Sequence, residues 1–107
     1  MSDEIWTTKD GRLRARPRAG GAIVDLASAL PEPAGVVSDP EGVNVYFTAR
    51  GTAAKSYLDG FVAKVPRGGG PTTIIAKDQA RPETLVLAGS HVFWSNAFDG
   101  TIRRAPK

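Results

Sequence analysis

The sequence predicts an all-β protein assembled from a repeated four-stranded unit, and three observations predict it. Asp-Gly pairs recur as Asp10-Gly11, Asp59-Gly60 and Asp99-Gly100, and each aspartate is followed seven residues later by a proline: Pro17, Pro66 and Pro106. Leu13, Val62 and Ile102 each stand three residues beyond their aspartate in a short alternating segment, the pattern of a strand with one buried face. Before each pair runs a segment rich in aromatic and branched residues: Ile5-Trp6-Thr7-Thr8, Val45-Tyr46-Phe47-Thr48 and Val92-Phe93-Trp94-Ser95.

The first two units continue in parallel beyond the proline. Gly20-Gly21 and Gly69-Gly70 follow at the same offset, where glycine supplies the positive φ of a tight hairpin. Ile23-Val24-Asp25-Leu26-Ala27 matches Thr72-Thr73-Ile74-Ile75-Ala76, and Pro33 and Pro82 stand six residues after the closing alanines. Val36-Val37-Ser38-Asp39 then parallels Leu85-Val86-Leu87-Ala88 and leads into the next aromatic run. Four short strands recurring every 49 and then 40 residues match the size and strand count of a β-propeller blade.

With the strands of a blade named A to D from the central channel outwards, the chain reads B-C-D, A-B-C-D, A-B-C. The fold class is therefore all-β: four-stranded antiparallel propeller blades forming a partial propeller of ten strands over residues 1–107, with units at 4–33, 34–82 and 83–107. The middle unit carries an insertion from Arg50 to Leu58, before its Asp-Gly pair. Insertions in repeat proteins map to one face, often the binding face. Tyr57, which lies outside the repeat, is with Arg50 and Lys55 the candidate ligand-binding set.

Composition sets the outer limits. With 41% hydrophobic and 23% charged residues, the 107-residue chain falls in the range of folded proteins, and its twelve Gly and eight Pro suit many turns. The lack of cysteine excludes disulfides, thiolate metal sites and cysteine nucleophiles. No basic segment followed by an apolar stretch opens the chain, and no run reaches membrane-spanning length, so the expectation is a cytoplasmic chain without membrane contact, unless a longer parent is secreted. The formal charge of +3 is concentrated in Arg12, Arg14, Arg16 and Arg18, which alternate along one strand face. Phe61, Ala63 and Val65 occupy the positions of Arg12, Arg14 and Arg16 in the middle unit, so the stripe reads as the solvated end face of the array, and nucleic acid is not the expected partner.

Catalytic groups are sparse. His91 is the only histidine, which excludes a multi-histidine metal centre within one chain. The serines lack a Gly-x-Ser-x-Gly elbow, and Gly68-Gly69-Gly70 is followed by neither the Gly-Lys-Ser/Thr ending nor the helix of a phosphate loop. No catalytic set is assigned; the nearest candidates are His91, Asp39 and Glu41. Asp39, Glu41 and Asn44 form an acidic loop whose spacing does not match a calcium loop, and it is read as solvated. No metal or cofactor is expected. Asp10, Gly11, Asp59, Gly60, Asp99 and Gly100 are read as structural turn residues, since aspartate before glycine favours a hairpin turn.

Taken together, the Asp-Gly-x-Ile-x-Arg-x-Pro pattern, the stretch Ile75-Ala76-Lys77-Asp78-Gln79-Ala80-Arg81-Pro82 and the strand Val92-Phe93-Trp94-Ser95-Asn96 resemble the repeat of bacterial six-bladed propellers related to the YWTD and TolB-like groups. The resemblance covers essentially the whole chain. The family's strand A ends in Val-Asp; Asp39 keeps this acid after Ser38, whereas Leu87-Ala88 does not. Six blades imply that two chains of three units each close a ring. The expected function is a non-catalytic interaction or ligand-binding module completed by homo-oligomerisation, whose partners are a second copy and an unidentified protein or small molecule. Two alternatives stand beside it: a lyase or hydrolase with a channel site assembled from two chains, and a fragment of a longer propeller without independent function.

Overall fold

A computed structural model of the chain describes residues 4–16 and 20–107; Pro17 and Arg18 of the sequence pattern lie outside them. Among the described residues, ten strands form three antiparallel sheets. The first holds β1 (Glu4–Thr7), β2 (Leu13–Arg16) and β3 (Val24–Ala27). The second runs in the order β4 (Pro33–Ser38), β5 (Asn44–Ala49), β6 (Gly60–Pro66), β7 (Thr73–Gln79). The third holds β8 (Pro82–Ala88), β9 (His91–Asn96) and β10 (Thr101–Pro106). This is the B-C-D, A-B-C-D, A-B-C arrangement of partial propeller blades. Each strand pairs with its neighbour in sequence, so every ladder closes through a short connection.

The cross-strand register corrects one equivalence. Trp6 lies opposite Arg14, Phe47 opposite Ala63 and Trp94 opposite Arg103, each partner being four residues beyond its Asp-Gly aspartate. The first strand therefore starts one residue earlier than its aromatic pattern suggests, and Trp6, Phe47 and Trp94 are the matching residues. Because side chains alternate between faces, this slip decides which residues enter the core. It turns Ile5 inward and Trp6 outward.

The middle sheet is buried on both faces. On one side, Val45, Phe47, Ala63 and Val65 pack against Leu13, Ala15, Leu26 and Ile5 of the first sheet. On the other, Tyr46 and Val62 pack against Leu85, Val92 and Trp94 of the third. Phe47, Val45, Val62 and Val65 are fully enclosed, and burial of each such side chain contributes about 1.5–3 kcal/mol.

The second and third sheets are held at close range by one hydroxyl. Thr48 is wholly buried; its Oγ1 accepts the Gly35 N–H at 2.9 Å and donates to the Glu83 carbonyl at 2.7 Å. Gly35 makes the approach possible, since a Cβ there would meet the Glu83 carbonyl oxygen at 2.5 Å and a Leu85 methyl at 2.8 Å. Thr48→Val keeps the shape but leaves both backbone groups without a partner. It is expected to cost about 1–3 kcal/mol, seen as a lower urea midpoint with an unchanged slope.

Candidate functional site

Two surfaces emerge from this frame: the end where the B–C turns cluster, and the outer face of the third sheet. At the first, the three Asp-Gly pairs divide in structure. Asp10-Gly11 and Asp99-Gly100 form turns with Gly11 at φ 89° and Gly100 at φ 68°; the Asp10 carboxylate accepts the Thr8 hydroxyl, and Asp99 accepts the Thr101 hydroxyl at 2.6 Å. Asp59-Gly60 departs from the expected hairpin turn, because β5 and β6, paired as far as Ala49 and Phe61, are joined through the whole insertion rather than through these two residues. Asp59 instead closes the insertion, accepting the Thr52 N–H and hydroxyl, each at 2.8 Å. Gly60 is already part of β6 and has no positive φ; it is small because a Cβ would meet Pro82 at 2.4 Å.

The insertion is anchored to both neighbouring sheets. After a 3-10 turn, Ala53–Lys55, both Ser56 and Tyr57 take left-handed backbone, with φ of 53° and 58°. Two consecutive non-glycine residues in that region are costly and are held by their surroundings. The Tyr57 hydroxyl donates to Glu32 at 2.8 Å, its ring stacks edge-on against Phe98 at 5.8 Å, and the Arg81 guanidinium lies 5.0 Å from its centre. Arg81 also donates its backbone N–H to the Tyr57 carbonyl at 2.8 Å. Hydrogen bonding to the Glu32 carboxylate raises the Tyr57 phenol above its ordinary pKa.

Arg50 joins the same network. Its guanidinium forms a two-pronged contact with Glu83, at 2.7 and 2.8 Å, and approaches Glu32 at 4.0 Å. Glu83 also receives Arg81 at 3.3 Å. Beside these residues opens a groove of about 430 Å³ lined by Thr7, Thr8, Lys9, Glu32, Pro33 and Arg50, between the first and second sheets. Of the three ligand-binding candidates, the structure brings Arg50 and Tyr57 to one cluster, whereas Lys55 stands exposed on the 3-10 turn. Glu32, Arg81, Glu83 and Phe98 were not foreseen. Glu32 and Arg81 each immediately precede a repeat proline, Pro33 and Pro82, and this shared place at the corner between successive sheets was the available signal.

The catalytic candidates do not converge. Asp39 is buried rather than solvated, at 8% exposure, and its carboxylate caps the β4–β5 turn by accepting the N–H groups of Val43 at 2.8 Å and Asn44 at 3.1 Å. Neighbouring Glu41 is exposed. His91 opens β9 in the other sheet, with its Nδ1 3.2 Å from the Ser90 hydroxyl and its ring 6.4 Å from Phe93. Among the described residues, no three histidine, cysteine or acidic groups gather as a metal site. No helix there is long and apolar enough to cross a membrane.

The second surface is apolar. On the outer face of the third sheet, Val86 is 54% and Ile102 78% exposed, beside Phe93, Thr84 and Ser95. By strand register these are the equivalents of Val37, Tyr46 and Val62, which the middle sheet buries against its neighbour. The opposite end of the array is charged. Arg14 pairs with Asp25 at 2.8 Å, Arg12 approaches Asp10 and Asp25 at 3.4 and 3.5 Å, and Arg16 pairs with Glu4. The arginine stripe is thus an end face neutralised by its own sheet.

No family model and no curated protein matches the sequence. Among solved structures, the chain is similar to one in the crystal structure of a nidogen/laminin complex, at a TM-score of 0.74 and 23% identity, over 87% of this chain and 35% of that one. The likeness shows a propeller-type β fold, and this chain spans about a third of the length of that one.

The ion-pair cluster predicts an acid-side loss of stability. Hydrogen bonds from Arg50 hold the Glu83 carboxyl below its ordinary value of 4.5, and Thr52 does the same for Asp59 below 3.8. A lowered folded-state pKa contributes stability that is present above the ordinary value and lost as pH falls through the lower folded one. Urea midpoints measured from roughly pH 6 to pH 3 are expected to fall most steeply below the ordinary carboxylate range, and Glu83→Gln should flatten that fall.

Proposed function

We propose that this chain is a non-catalytic interaction module that buries the outer face of its third sheet on a second copy. One observation carries the reading: Val86, Phe93 and Ile102 repeat the positions of Val37, Tyr46 and Val62, a set built to be covered, yet Ile102 is 78% exposed. Apolar side chains in this arrangement gain about 25 cal/mol per Å² when removed from water. That the similar solved structure is a protein–protein complex is in keeping with an interaction module.

Two arrangements of the pair follow from the end faces. Closing a six-sheet ring sets the third sheet of each copy against the first sheet of the other, enclosing the Arg14–Asp25 and Arg16–Glu4 pairs. Enclosing ion pairs carries a desolvation cost that their attraction does not always recover. Pairing two third sheets about a two-fold axis leaves those pairs in water, and the charged end face favours this arrangement.

Light scattering at micromolar concentration is expected to give the mass of a dimer, and Ile102→Asp the mass of a monomer with an unchanged circular dichroism spectrum. A stable monomer for the natural sequence refutes self-association. Since the chain lacks cysteine, Ile102→Cys introduces a unique thiol. Oxidation to a disulfide-linked dimer supports the two-fold arrangement, and failure to cross-link within a dimer of proven mass supports the ring.

A further inference from the structure

The two junctions flanking the middle sheet use the same three repeat positions in opposite ways. Between the first and second sheets these positions hold Leu30, Phe47 and Ala49; between the second and third they hold Gln79, Trp94 and Asn96. Leu30 and Gln79 each stand three residues beyond a closing alanine, and Ala49 and Asn96 two beyond the matching aromatics. Leu30 and Phe47 belong to an apolar core, and Ala49 is fully buried. The fold therefore has an apolar solution for this place. The second junction is polar instead: Trp94 is 3% and Asn96 2% exposed, and both donate to Gln79 Oε1, the indole Nε1 at 3.1 Å and Asn96 Nδ2 at 3.0 Å.

Hydrogen-bond chemistry fixes how these groups are turned. An indole N–H only donates, so the Gln79 atom it meets is the oxygen. That oxygen in turn requires the NH2 group of Asn96. Gln79 Nε2 agrees with this orientation, because it donates to the Lys77 carbonyl at 2.9 Å. Asn96 Nδ2 also reaches the Thr101 hydroxyl at 3.4 Å, and that hydroxyl donates to Asp99 at 2.6 Å. Asn96 Oδ1 is left as an enclosed acceptor with no hydrogen-bond partner among the described residues. Reversing the amide would set oxygen against oxygen, so rotation does not remove the orphan. Buried acceptors of this kind are costly, and in folded proteins ordered water meets them where other polar groups lie close by.

We infer that Asn96 Oδ1 anchors a resident water molecule between the second and third sheets, next to the turn formed by residues 96–101. Asn96 lies opposite Pro82 in the ladder, and the turn that follows it bonds back to the same corner: Ala97 N–H to the Arg81 carbonyl at 3.0 Å and Phe98 N–H to the Ala80 carbonyl at 3.2 Å. Each of these carbonyls keeps a second lone pair, which supplies an acceptor for the water's other proton. The water satisfies the last open group of a hydrogen-bonded chain running from Trp94 through Gln79, Asn96 and Thr101 to Asp99. It thereby ties the buried junction to the turn whose Phe98 stacks on Tyr57. This inference is independent of self-association, because Trp94 packs toward the second sheet, away from the face that carries Val86 and Ile102.

The test measures nuclear Overhauser effects between water and the isotope-labelled natural chain in solution. The Asn96 side-chain NH2 protons are expected to show a cross-peak at the water frequency with the sign of a long-lived contact. Thr101→Val removes the neighbouring hydroxyl, whose exchanging proton gives the same signal, and the cross-peak should persist in that variant. Absence of the peak in the natural chain, or its loss in a folded Thr101→Val, overturns the inference. A crystal structure of the natural chain decides the same point without a variant: a density peak is expected about 2.8 Å from Asn96 Oδ1, and an empty site there overturns the inference.

Discussion

The double burial of the middle sheet is the constraint on which the rest of the structure depends. A strand buried on one face can be patterned by simple alternation, but β5 and β6 meet apolar neighbours on both sides, so their side chains must fit two interfaces at once. Thr48 shows what this demands. A polar atom with no exposure is tolerable only because it joins two backbone groups from different sheets, and its reach sets their separation. Gly35 is the other half of the fit, for no side chain can stand where the Glu83 carbonyl arrives.

The same spacing positions the loops. The corner residues Glu32 and Arg81 both take left-handed backbone, with φ of 53° and 54°, and each offers its carbonyl to the first residue beyond the next sheet's second strand: Arg50 N–H to Glu32 at 2.8 Å, Ala97 N–H to Arg81 at 3.0 Å. The insertion lies between these corners. Tyr57 spans them, bonded to the acid of one and stacked under the guanidinium of the other. Its role is that of a brace. The repeat geometry thus turns an added loop into an ordered part of the surface.

The strand count and order were legible in the sequence because the Asp-Gly spacing recurs and because apolar alternation persists through β2, β6 and β10. What escaped was set by geometry that residue type does not encode. The one-residue slip of β1 was hidden because Ile5 and Trp6 are both apolar, and only pairing with Ala15 and Arg14 separates them. Asp59-Gly60 repeats the letters of a turn, but the insertion lengthens the connection between two strands that stay paired and gives the carboxylate another task. Asp39 looked solvated because its neighbours Pro40, Glu41 and Gly42 are those of a loop, whereas two backbone N–H groups draw its carboxylate inward. Opposite charges at Glu32 and Arg81 concealed their equivalence.

The unequal end faces bear on how far assembly can proceed. A repeat array with two adhesive ends grows into a fibre wherever its ring does not close, because each addition regenerates a free end. Here the outer face of the first sheet carries ion pairs that the sheet makes with itself, whereas that of the third carries the exposed Val86 and Ile102. In the two-fold arrangement proposed above, the first pairing would use up the face that carries Val86 and Ile102. On that proposal the arginines of the first sheet act as a chain terminator that keeps the assembly finite.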